Sequence, residues 1–349
     1  MQPTGIRKTS YTTDNAVVHT HTQWAMLIGF LVLLFIAPVF LSGHMMGIIS
    51  MVCIFVIAVL GLNVLTGLCG QISLGQAAFM GVGAYTTAIM MSKFGISFWV
   101  ALPCAGIAAG LVGLIFGLPS LRCKGFYLAM STLAAQFILY WVFMHGGSWT
   151  GRFDGTGVPA PTLGGITLRS NVSIYLLIMT ITVIMTFFAR NLSRTKIGRA
   201  FVAVRDNDLA AEVMGINTYR YKLIAFFICS FYAGIAGSLY GVYVGWISPD
   251  HFTLMDSIWM LAMLIVGGMG STVGTIAGVV FLRGVKELAA IGADALATTF
   301  PSMATFALGA GTSLVFGLIV VLFLIFEPRG LYHRWQLFKA WYRLLPFPY

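Results

Sequence analysis

The chain has 349 residues, of which 59% are hydrophobic and only 9% charged, with 20 Lys and Arg against 10 Asp and Glu. Soluble domains carry about 25% charged residues, so a soluble globular enzyme is excluded. The net charge of +10 has no soluble basic face on which nucleic acid would lie, and it reads instead as a signal of orientation in a membrane.

Residues 1–23 form a polar extension carrying Arg7 and Lys8, which places it in the cytoplasm. The apolar run 24–41 is longer than a signal-peptide core and no small-residue cleavage site follows it, so it reads as an uncleaved first span. Further charge-free runs at 45–65, 74–91, 98–118 and 126–144 are long enough to cross a bilayer. Between the second and third runs the chain breaks at glycines and gathers Asn63, Gln71, Ser73 and Gln76. Backbone groups freed at such a break need protein partners or a watery cavity. The four residues therefore either bond to neighbouring helices or line a substrate pathway. The loop 119–125, with Arg122 and Lys124, falls inside. The Gly- and Pro-rich loop 145–171, with only Arg152 and Arg169 as basic residues, falls outside.

After a span at 172–189 comes the longest polar stretch of the chain. Residues 190–222 hold Arg190, Arg194, Lys196, Arg199, Arg205, Arg220 and Lys222 against Asp206, Asp208 and Glu212. The spacing predicts two short helices. Residues 196–205 put Ile197, Ala200, Phe201 and Val204 on one face and Arg199 and Arg205 on the other. Asp206 or Asp208 caps a second helix that runs through Ala210, Ala211 and Glu212 and stops at Gly215. Such a loop either lies on anionic lipid or docks a cytoplasmic protein.

A span at 223–247 follows, then a glycine-rich stretch at 257–282 without a charge. The basic tail (Arg329, Arg334, Lys339, Arg343) belongs inside, which requires an extra crossing. Either 257–269 and 271–282 are two short helices meeting at 267–270, or 289–311 spans. Asp294 and Pro301 suit lipid poorly, which favours the first solution. With a last run at 313–326, the expected fold is an all-α polytopic integral membrane protein of about ten transmembrane helices, some short or broken. Its transmembrane domain covers 24–331 and a cytoplasmic tail covers 332–349. Lys93, Arg152, Arg169, Arg283 and Lys286 would be the cations on the outside. The glycine-rich restarts at 71–85 and 268–278 suggest two weak internal repeats around a midplane pathway.

The spans so drawn contain no Asp, Glu, Lys or Arg, which argues against an ion-driven carrier or a stand-alone channel with buried charges. Small residues recur at four-residue spacing (Gly237, Gly241, Gly245; Gly270, Gly274, Gly278; Gly113, Gly117), a pattern for close helix packing within or between subunits. The five cysteines have no metal-ligand or disulfide spacing. No lysine is preceded by glycine, so a phosphate-cradling P-loop is absent, as are hydrolase motifs. No catalytic residue or metal site is expected, and any ATP is hydrolysed by another chain.

The segments Leu62-Asn-Val-Leu-Thr-Gly67, Gly70-Gln-Ile-Ser-Leu-Gly-Gln-Ala-Ala-Phe-Met-Gly-Val-Gly-Ala-Tyr85 and Val204-Arg-Asp-Asn-Asp-Leu-Ala-Ala-Glu-Val-Met-Gly215 closely resemble permease subunits of branched-chain amino-acid ABC importers, of the LivM type. Gly198-Arg-Ala200, Lys222-Leu-Ile-Ala-Phe226, Ala233-Gly-Ile-Ala-Gly237, Val266-Gly-Gly-Met-Gly-Ser271 and Glu327-Pro-Arg-Gly-Leu331 extend the resemblance. The resemblance implies a heterodimer with a second, LivH-type permease in the bacterial inner membrane. It implies two cytoplasmic ATPases that hold ATP and Mg, and a periplasmic or lipid-anchored binding protein. The cargo would be a branched-chain amino acid, though relatives carry urea, short amides and aromatic acids. It also implies a coupling helix within 198–215. Gly198, Arg199 and Gly215 count among its ATPase-coupling residues, and we expect Arg205, Asp208 and Glu212 to orient it on the ATPase while Ala210, Ala211 and Met214 fill the ATPase groove.

Overall fold

The computed structural model describes residues 21–120, 126–163, 166–299, 312–327 and 330–344. The greater part of the N-terminal extension, Arg122 and Lys124, Asp294 and Pro301, and Arg329 of the last motif lie outside the described backbone or side chains.

Helix α1 (His21–Phe40) leads to α2 (Gly43–Leu62), which continues without interruption into a π-helical turn, Asn63–Leu68. Then come α3 (Gln76–Ser92), α4 (Phe98–Ser120), α5 (Phe126–His145) and α6 (Asn171–Leu192). Two short helices, α7 (Lys196–Asp206) and α8 (Asp208–Val213), precede α9 (Thr218–Val244). The chain ends with α10 (Leu254–Gly267), α11 (Thr272–Thr299), α12 (Thr312–Phe326) and α13 (Leu331–Leu344). Among the described residues six stretches are long and apolar enough to cross a membrane: 43–68, 98–118, 127–145, 171–192, 218–244 and 249–267. The expected ten is not reached on length and composition. α3 and α12 are short, the apolar part of α1 is 24–40, and α11 carries charge.

The bundle is built around α2 and α9. Leu60, Leu62 and Leu65 on the first and Ala225, Phe226, Cys229 and Ala236 on the second are fully buried. An all-round apolar helix buries itself in protein or lipid, and here the two fates divide by position. α2 is enclosed by α6, α9, α10 and α11, while α1 exposes Met26, Phe30, Val39 and Phe40. The glycine stripes serve packing within this chain. A Cβ on Gly237 would stand 1.8 Å from the Met80 carbonyl oxygen, so α9 and α3 touch backbone to backbone.

Three features differ from the sequence expectation. The loop after α5 carries two-residue strands, a local addition to a fold that is all-α as expected. There β1 (Thr156–Gly157) pairs antiparallel with β4 (Trp246–Ile247), and β2 (Thr162–Leu163) with β3 (Ile166–Thr167). Second, α11 does not stop near Leu282. It runs on through Arg283, Lys286 and Glu287, so these charges stand along a helix rather than in an outer loop. A helix tolerates them because Arg, Lys and Glu are good helix formers. Third, the two glycine-rich restarts are not merely alike in composition. Gly270 N–H donates to Asn63 Oδ1 at 2.8 Å, so the two breaks meet.

Candidate functional site

The π-helical turn ends α2 because Cys69 N–H reaches back to the Val64 carbonyl at 3.2 Å, a five-residue step. Thr66 Oγ1 then donates to the Gln71 carbonyl at 3.0 Å and turns the chain into an extended segment. That segment leads to the first turn of α3, whose N–H groups have no helical partner. Side chains from other helices supply acceptors. Ser257 Oγ accepts from Ala77 N–H at 2.9 Å and Gln136 Oε1 from Ala78 N–H at 3.0 Å. Thr132 Oγ1 accepts from Leu74 N–H at 2.9 Å. A helix start deep inside the bundle is therefore satisfied by protein, not solvent.

Of the four residues singled out for a pathway, all are buried. Asn63 holds Gly270, and Ser73 Oγ accepts from Gly75 N–H at 3.4 Å. Gln76 Nε2 donates to the Ala58 carbonyl at 2.8 Å, and its Oε1 lies 3.1 Å from Cys229 Sγ. Gln71 is the exception, because its Oε1 has no hydrogen-bond partner among the described residues. The exposed side chain of the segment is the neighbouring Ile72. In this arrangement the cluster ties the break together. Ser257 and Thr132 share that work, and the sequence did not mark Ser257, since one serine in an apolar run carries no pattern.

The polar loop folds as two helices, the first with the amphipathic faces its sequence carries. Thr195 caps α7 by accepting from Gly198 N–H at 3.2 Å, and Gly198, Ala200, Phe201 and Val204 are buried. The second cap is neither Asp206 nor Asp208. Asn207, in an extended conformation, accepts from Leu209 N–H at 3.0 Å and Ala210 N–H at 3.1 Å. Asp, Asn and Ser cap about equally well, so three adjacent polar residues left the choice to the backbone. Asp208 becomes the first helical residue and pairs with Lys222 Nζ at 2.6 Å. Gly215 ends α8 with a φ of 81°, a left-handed conformation that favours glycine.

Three polar ties clamp this loop to the bundle. Lys222 to Asp208 holds α8 against the base of α9. Arg190 Nη1 donates to Thr272 Oγ1 at 3.1 Å and joins the end of α6 to the start of α11. Arg205 Nη1 donates to the Gly67 carbonyl at 3.0 Å, while its Nε and Nη2 pair with Asp206. Arg205 therefore reaches inward to the π-turn, where it also lies near Gly270. Arg199 is exposed on the loop surface and Gly198 sits under it.

The outer face of α8 is apolar where a loop is expected to be polar. Leu209 is 67% exposed, Val213 87% and Met214 81%. Ala210 and Glu212 are exposed beside them, whereas Ala211 is only 4% exposed and packs against its own chain. Ala211 therefore presents nothing to a partner. Leu209 and Val213, four residues apart and so on one face, are exposed apolar side chains there. Six residues are too few to show helical periodicity, which is why the sequence alone missed them.

A bundle of apolar spanning helices with a polar break inside and a clamped, partly apolar loop at one end is a multi-pass membrane protein of the permease class. Comparison makes it specific. Residues 44–325 match the family described as "Branched-chain amino acid transport system / permease component", and the chain belongs to it. It is 32% identical over 336 residues to the high-affinity branched-chain amino acid transport system permease protein LivM of Escherichia coli K12, covering 89% of this chain and 75% of that one. It is 27% identical over 241 residues to the probable LivM of Methanocaldococcus jannaschii, covering 66% and 67% of the two chains. To the guanosine ABC transporter permease NupQ of Bacillus subtilis it is 25% identical over 243 residues, covering 64% and 74%. No solved structure matches the chain. The protein is thus a permease subunit of an ABC transporter.

Proposed function

We propose that this chain is the LivM-type half of a heterodimeric importer for branched-chain amino acids in the bacterial inner membrane. Its partners are a second, LivH-type permease, two cytoplasmic ATPases that hold ATP and Mg, and a periplasmic or lipid-anchored binding protein. The chain crosses about ten times, with 1–23 and 332–349 in the cytoplasm and 145–171 in the periplasm. In this reading the loop end carries α7 and α8, and α8 is the coupling helix. The observation that carries the reading is the exposed apolar face of Leu209, Val213 and Met214 on an otherwise basic loop. Exposed apolar clusters mark contact surfaces.

Alternating access follows from the ties. Closure of the ATPase pair moves α8, and Arg205 passes that movement to Gly67. At that point the break after α2 and the break before α11 touch. Asn63, Gln71, Ser73 and Gln76 sit behind this contact, so its opening is the event that would expose them to a pathway between the two permeases. ATP binding must favour one arrangement by its differential affinity for the two. The cargo assignment draws on the LivM relatives, and the guanosine permease among the relatives means it has to be measured.

The test is reconstitution. Vesicles with both permeases, the ATPases and the binding protein should accumulate radiolabelled leucine only with ATP, and this chain alone should accumulate none. ATP-independent leucine flux through the chain alone would replace the reading with a stand-alone carrier.

A further inference from the structure

The charges that the sequence placed in an outer loop stand in the structure beside the middle of the bundle. Arg283 is 9% exposed, and its Cζ lies 4.5 Å from the ring centre of Phe55. Phe55 is at the midpoint of the apolar run 43–68. Arg283 is also roughly 16 Å along α11 from Thr272, at 1.5 Å per residue. Lys286, one turn further, is exposed and holds its Nζ 4.8 Å over the ring of Trp259 on α10. Asp256, in the first turn of α10, and Glu287 are within electrostatic reach of both cations, and Tyr240 and Tyr243 are within reach of Arg283. Among the described residues Arg283 makes no hydrogen bond or ion pair at contact distance. Asp256 commits Oδ2 to Thr253, at 3.1 Å from N and 2.6 Å from Oγ1.

This arrangement lacks the usual structural explanation. A buried charge is tolerated when it is paired, and breaking the pair is strongly destabilising. Here Arg283 is buried against the Phe55 ring and Lys286 lies exposed over the Trp259 ring, and among the described residues neither forms an ion pair with Asp256 or Glu287. Ionisable groups at membrane depth are expensive and are kept for function. The set is neutral overall and dipolar. A guanidinium suits a carboxylate in forked geometry, and carboxylates suit an ammonium. Phe55 and Trp259 add apolar area beside them.

We propose that Arg283 and Lys286 receive the α-carboxylate, and Asp256 and Glu287 the α-ammonium, of an amino acid crossing the membrane. This rests on the importer reading above and names the group chemistry that reading leaves open. The site recognises the zwitterion common to all amino acids, so side-chain selection falls to the binding protein.

The test uses the whole importer, purified by a tag on this chain and reconstituted with its binding protein. It reads radiolabelled leucine accumulated per ATP hydrolysed. Arg283→Gln should lower that ratio by at least about tenfold, the loss of one charge-assisted hydrogen-bond pair, while binding-protein-stimulated ATP hydrolysis continues. Arg283→Lys should restore part of it. Lys286→Gln is exposed and does not disturb packing, so it carries the test if Arg283→Gln fails to assemble; it too should lower the ratio. Wild-type transport with unchanged ratios in the variants overturns the site and leaves the importer reading standing. Wild type that accumulates no leucine overturns both. If the variants lose assembly alone, with a normal ratio in what assembles, the charges serve the contact with the second permease and the site is wrong. A zwitterionic lipid headgroup is the competing ligand. If the Arg283→Gln defect disappears in vesicles of phosphatidylglycerol alone, the cluster serves phosphatidylethanolamine and the proposal fails.

Discussion

Arg205 joins positions 138 residues apart in sequence, and that reach is the main thing the sequence concealed about it. Helical periodicity put it on the polar face of α7, which is correct as far as periodicity goes. What decides its role is the carbonyl of Gly67, left without a helical donor where α2 turns. Gly70 makes room, because a Cβ there would stand 2.7 Å from Arg205 Cγ. The neighbouring Cys69 reports on this contact. It is 2% exposed, and burial pushes its thiol up to about 12. At pH 7.5 such a thiol is almost wholly protonated, and the thiolate is the reacting form. In a chain whose other cysteines are replaced by alanine, Cys69 should label with maleimide very slowly. Arg205→Ala should admit water to the turn, lower the thiol's pKa and raise the labelling rate at least about tenfold. An unchanged rate would show that Arg205 holds nothing.

At the scale of elements, legibility followed length. The long apolar helices were visible because 20 or so residues without charge admit few other states. The two short loop helices were visible because α7 alternates its faces strongly, with Phe201 and Val204 buried. α8 was placed but its faces were misread, since Ala211 points inward and Leu209 and Val213 outward. α11 was cut short because its charges looked like the start of a loop, whereas the backbone simply continued. The break at 69–75 was legible from its glycines, but its partners Ser257 and Gln136 come from α10 and α5 and no local pattern announces them. If α8 docks by its apolar face, Val213→Glu should weaken capture of the ATPases by at least about tenfold, because an unpaired carboxylate would be buried in the contact. Val213 is 87% exposed, so the substitution leaves the fold alone. Ala211→Glu, by contrast, should lower the yield of folded chain, since that position is packed. Co-purification quantified against the permease gives the first result and detergent-extracted yield the second. Equal capture by wild type and Val213→Glu would remove α8 from the docking site.

Across the whole molecule, charge and mechanics point the same way. The loop end holds Arg190, Arg194, Lys196, Arg199, Arg205, Arg220 and Lys222, whereas the opposite end holds few cations, Lys93, Arg152 and Arg169. Short positively charged loops stay in the cytoplasm. The moving of Arg283 and Lys286 into the run of α11 sharpens this asymmetry, because two cations once counted against it no longer stand in an outer loop. In the proposed importer this is also the orientation in which an ATPase would meet α8. Two positions test it together. Met214 is 81% exposed at the loop end and Phe153 67% exposed at the other. In a background without native cysteines, Met214→Cys should label with a membrane-impermeant maleimide only in inverted vesicles. Phe153→Cys should label only in right-side-out vesicles. The reverse pattern would put α8 outside the cell, where no ATPase meets it, and coupling through Arg205 to the helix break would then have nothing to drive it.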